Sequence, residues 1–90
     1  MNAPNFFRLS HFIKMVQSEL FNYCNLSFDQ FLLHGNADKL NHAIQRIFYL
    51  CFDGSDYVLD VEMPNNIVQI TIYCRCNGQI AFILSYSFDV

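Results

Sequence analysis

Ninety residues suffice for one hydrophobic core and not for a second, so a single domain spanning residues 1–90 is expected. The chain is 53% hydrophobic and 17% aromatic but only 14% charged, against roughly 25% charged in ordinary domains, so apolar surface should remain once the core is filled. Its net charge of −3 is concentrated late, with one basic and five acidic residues in 53–90, which excludes a phosphate-binding surface and suits a basic protein partner.

Residues 2–7 read as a lead-in, with Ser10 as N-cap of a first helix or a start a few residues earlier. Leu9, Phe12 or Ile13, Val16, Leu20 and Cys24 then recur at intervals of three and four, an apolar stripe that predicts a helix ending near Asn25. Ser27 stands three before Gln30, the spacing of a capping box, and predicts a short second helix over residues 28–34 stopped by Gly35. Asn36 or Asp38 is the expected cap of a third helix. There Leu40, Ala43, Ile44, Ile47, Phe48 and Cys51 share one broad face, and Asp53 and Gly54 close the end.

From Tyr57 onward the period changes to two. Tyr57, Leu59, Val61 and Met63 form one alternating set, Val68, Ile70, Ile72, Cys74 and Cys76 a second, and Ile80, Phe82, Leu84, Tyr86 and Phe88 a third. The fold class is therefore α+β: two or three N-terminal helices, about residues 8–52, packed on one face of a C-terminal three-stranded antiparallel β-meander, about residues 56–90.

The register follows because all three apolar sets must share a face. A two-residue loop at Asn77 and Gly78 would pair Cys76 with Gln79 and split the sets. A three-residue loop of Cys76, Asn77 and a left-handed Gly78 instead pairs Arg75 with Gln79, Cys74 with Ile80, Ile72 with Phe82 and Ile70 with Leu84. At the other turn Met63 pairs with Val68, and Asn65 and Asn66 tolerate positive φ. The opposite face then carries Val58 beside Tyr73 and Ala81, Asp60 beside Thr71 and Ile83, and Glu62 beside Gln69 and Ser85.

Chemical motifs are sparse. Cys74-x-Cys76, with His11, His34 and His42 elsewhere, lacks the tight-turn spacing and the two further ligands of a zinc site, so reduced thiols and no metal are expected. None of the four cysteines has a local pattern that supplies a catalytic histidine. Asp60 and Glu62 lie on an edge strand, where carboxylates solubilise rather than act as an acid and base. The three glycines all fall at turns, which excludes a phosphate loop, and Lys39, Tyr73 and Arg75 are too scattered for a nucleic-acid surface. The chain is expected to have no enzymatic activity and no cofactor.

No run of about 18 apolar residues occurs and Met1 to Leu9 lacks a signal-peptide pattern, so the expected location is cytoplasmic, away from membranes. What remains is binding to another protein. The leading expectation is a small inhibitor or immunity-type domain that blocks a larger target through an acidic and aromatic surface, with Asp56, Asp60, Glu62, Tyr73, Ile83 and Ser85 as the partner-binding residues. The alternative is a structural homo-oligomer, such as a homodimer, or a complex subunit, assembled through the third strand. That strand has no charge between Gln79 and Ser87 and invites cover by the segment around Phe6 and Phe7, by a second copy, or by a partner strand.

Overall fold

The computed structural model describes residues 6–53 and 55–88. Three helices, α1 (Phe6–Phe21), α2 (Phe28–Leu33) and α3 (Asn36–Phe52), precede three strands, β1 (Tyr57–Glu62), β2 (Ile67–Cys74) and β3 (Ile80–Ser87). The strands form one antiparallel sheet in the order β1-β2-β3, the expected meander.

α1 buries Phe12, Val16 and Leu20, with Leu9 packed partly against them, so Phe12 rather than Ile13 carries the stripe. Two details differ from the sequence reading. Ser10 is helical and caps nothing, since nothing between Phe6 and Leu9 interrupts a helix. The helix also stops at Phe21 rather than near Asn25. Asn22, Tyr23 and Cys24 donate to Glu19, Leu20 and Phe21 carbonyls at 3.1, 3.0 and 3.3 Å, tightening the exit, and Cys24 becomes exposed.

The capping box of α2 is formed: the Gln30 N–H donates to Ser27 Oγ and the Ser27 N–H to Gln30 Oε1, both at 3.2 Å. Gly35, at φ 71°, ends this helix and starts α3 in one residue. Asn36 is therefore already helical, and neither it nor Asp38 caps α3. Asp38 lies in the first turn, where its charge opposes the positive helix end.

α3 buries Leu40, Ile44, Ile47, Cys51 and Phe52. Its C-terminal aromatics join α1 to β1: Phe12 lies 5.7 Å from Phe52 and 6.3 Å from Phe48, and Phe52 lies 6.2 Å from Tyr57, ring centre to ring centre. A second aromatic group seats α2 against the end of the sheet, with Phe88 at 4.8 Å from Phe31 and 5.4 Å from Phe28. The Phe88 N–H also donates to Asn66 O at 2.8 Å. Val68, Ile70 and Ile72 of the central strand complete the core.

The β1–β2 register is the predicted one, Leu59 opposite Ile72 and Val61 opposite Ile70, and Asn66 takes positive φ at 62°. Between β2 and β3, Ile70 faces Leu84 and Ile72 faces Phe82 as expected. Near the turn the register moves by one. Cys74 O accepts from the Gly78 N–H at 2.9 Å and the Cys74 N–H donates to Gln79 O at 2.8 Å, so residues 75–77 form the turn and Gly78, at φ 71°, is the bulge.

Asn77 explains the shift. Its Oδ1 accepts from the Gln79 N–H at 2.9 Å, a local bond that draws Gln79 into the turn and away from Arg75. A second irregularity at Ala81 restores the register, so Ile80 pairs with Tyr73 instead of Cys74. Ile80 leaves the core set and is 55% exposed. Cys76, expected to be a small buried hydrophobe, is exposed in the turn.

Candidate functional site: the uncovered face of the sheet

Helices cover one face of the sheet, and the other holds three cross-strand rows. The first is Val58, Tyr73 and Ile80; the second Asp60, Thr71 and Ile83; the third Glu62, Gln69 and Ser85. Alternation puts these side chains together, each one residue out of phase with the buried set, except Ile80, which the irregularity at Ala81 brings to this face. Thr71 at the centre is only 3% exposed, closed in by its neighbours, whereas Ile83 is 48% exposed.

Five of the six predicted contact residues, Asp60, Glu62, Tyr73, Ile83 and Ser85, thus share this face. Asp56 precedes β1 and extends the acidic margin beyond the first row, its carbonyl accepting from the Arg75 N–H at 2.7 Å. Ile80 was missed by sequence reasoning. The signal lay in Asn77, whose side chain reaches two residues on, and in Ala81, small enough to be extruded as a bulge.

The face is graded. Val58, Tyr73, Ile80 and Ile83 make it apolar towards the β2–β3 turn, and Asp56, Asp60 and Glu62 line its β1 side. β3 is uncharged along its whole length and, among the described residues, no strand pairs with its outer edge. Phe6 and Phe7 belong to α1 and add no strand there.

A groove of about 320 Å³ beside α1 and α3 brings His11, Cys51, Asp53 and Arg8 together from separate elements, a grouping no local pattern announces. Burial pushes the Cys51 thiol up, and the nearby Arg8 charge opposes that shift. Phe7 and Leu50, both strongly exposed, also border this groove. Among the described residues no three His, Cys, Asp or Glu side chains cluster as metal ligands, and no helix is long and apolar enough to cross a membrane. Comparisons with protein-family models, curated proteins and solved structures found no match to this chain.

Proposed function

We propose that this chain is a non-catalytic protein-binding domain, of the inhibitor or immunity type, that docks the uncovered sheet face onto a larger protein with a basic margin. The observation that carries this reading is the row of Val58, Tyr73 and Ile80 continued by Ile83, an apolar centre flanked on the β1 side by Asp56, Asp60 and Glu62. An apolar centre holding a tyrosine, with charge kept to the margin, is how protein interfaces are built.

A second reading rests on a different observation, that among the described residues no strand pairs with the outer edge of the uncharged β3, which suits pairing with a second copy across a two-fold axis. Solution mass at micromolar concentration separates the two. Under the first reading the chain is a monomer, and a partner retained by the immobilised protein is lost with Ile83→Lys while circular dichroism is unchanged. A dimer that Ile83→Lys dissociates favours the second. A monomer whose partner is held equally by wild type and variant would overturn both.

A further inference from the structure

The β2–β3 turn brings two cysteines together at the tip of the sheet, outside the docking surface argued above. Cys74 closes β2, Cys76 lies in the turn, and their Sγ atoms are 2.7 Å apart, both as free thiols. A disulfide needs an S–S separation of about 2.05 Å, so only a small closure separates the pair from a bond. Cys24 and Cys51 stand apart from this pair, on the turn after α1 and within α3.

The two sulfurs are chemically unequal. The hydrogen bond with the Cys76 thiol, helped by the backbone N–H groups of Cys76 and Asn77, holds the Cys74 thiol below its usual value against partial burial. The same contact pushes Cys76 up, with burial adding to it. Arg75 separates them in the chain and is exposed, while the charge of Asp56 works against the lowering at Cys74. A half-exposed thiol held below its usual value and in contact with a second, exposed thiol is the arrangement of a redox-reactive pair.

We infer that Cys74 and Cys76 form a thiol–disulfide exchange site that reacts with low-molecular-weight disulfides and closes to an intrachain disulfide across the β2–β3 turn. The Cys74 thiolate attacks one sulfur of the small disulfide, whose S–S bond breaks and releases one thiolate. Cys76 then loses its proton and its sulfur attacks Cys74 Sγ, breaking the mixed disulfide and releasing the second thiol. The protein dithiol is oxidised by two electrons and the small disulfide is reduced to two thiols, which carry away both protons.

Oxidised glutathione is the probe. Reduced protein is equilibrated without oxygen across ratios of reduced to oxidised glutathione, acid-quenched, alkylated, and read by peptide mass spectrometry. The peptide holding Cys74 and Cys76 should lose two hydrogens at ratios where Cys24 and Cys51 still take the alkylating agent. Cys76→Ser, at an exposed position, should instead trap glutathione on Cys74. The site is ruled out if the wild-type pair stays a dithiol in excess oxidised glutathione, if the mixed disulfide accumulates without closing, or if Cys24 reacts first.

Discussion

Tyr57 begins β1 with its ring under Phe52 and 6% of its surface exposed. Burial raises its hydroxyl pKa, and negative charge from Cys74, Cys76 and Asp56 raises it further. Burial raises Cys51 and Tyr23 as well. The sign follows from proton linkage: a folded group that keeps its proton longer than the unfolded chain contributes stability that is complete below the unfolded pKa and is lost as pH rises through the folded one. For Tyr57 the window opens above the ordinary tyrosine value of 10.0. The Cys74 and Cys76 pair is shifted in opposite senses, so its two contributions oppose each other. Urea unfolding measured from about pH 8 to about pH 11 should therefore show stability falling at the alkaline end, with the fall reduced in Tyr57→Phe. Equal pH slopes for wild type and Tyr57→Phe would show that this hydroxyl is not the group responsible.

The β2–β3 turn is the element in which local chemistry overrules strand pairing. Gly78 holds φ at 71°, and a Cβ built on it meets nothing within 4 Å, so Gly78→Ala adds backbone strain without a clash. The variant should lose roughly 1 kcal/mol, seen as a lower urea midpoint at unchanged slope. An unmoved midpoint would show that a left-handed residue is not required there. The same element marks the boundary of what the sequence discloses. The Ser27 and Gln30 cap was legible because both partners lie within four residues, and the β1–β2 register was legible because a slip of one would turn Leu59 and Val61 out of the core. The start of α1 and the cap of α3 were not. Several polar residues near a helix start have cap chemistry, and only the backbone angle at Gly35 decides that α3 begins at Asn36. Ile80 was misplaced for a related reason: alternation assumes an unbroken strand, and the Asn77 side chain, bonded to the Gln79 N–H and side chain, together with the irregularity at Ala81, accompanies a register one residue off the one it would have kept.

At the scale of the whole molecule, the helices pack on one face of the sheet, and among the described residues no element packs on the other. The bulge then matters beyond its own turn, because it delivers Ile80 to the side the helices leave bare and extends an apolar row that alternation alone would have ended in Ala81. Asp60, Glu62, Tyr73, Ile83 and Ser85 were assignable to that side from period and register, while the apolar weight of its turn end was not. Charge is the second asymmetry. Asp56, Asp60 and Glu62 lie along β1 and its approach while β3 carries none, so a basic partner would be drawn towards the β1 side before the apolar rows meet it. Marginal charges act mainly on the rate of encounter. Reversing both carboxylates, Asp60→Lys with Glu62→Lys, should slow association with the captured partner by about tenfold at low salt and remove most of the salt dependence, with dissociation little changed. Stopped-flow association at two ionic strengths reads this directly, and circular dichroism checks that the sheet persists, as expected for side chains outside the core. A two-fold assembly through the edge of β3 makes the opposite demand, since Asp60 and Glu62 lie on the far edge strand and their reversal should leave the dimer mass unchanged. An association rate indifferent to both the reversal and the salt would leave the apolar rows as the sole determinant of docking.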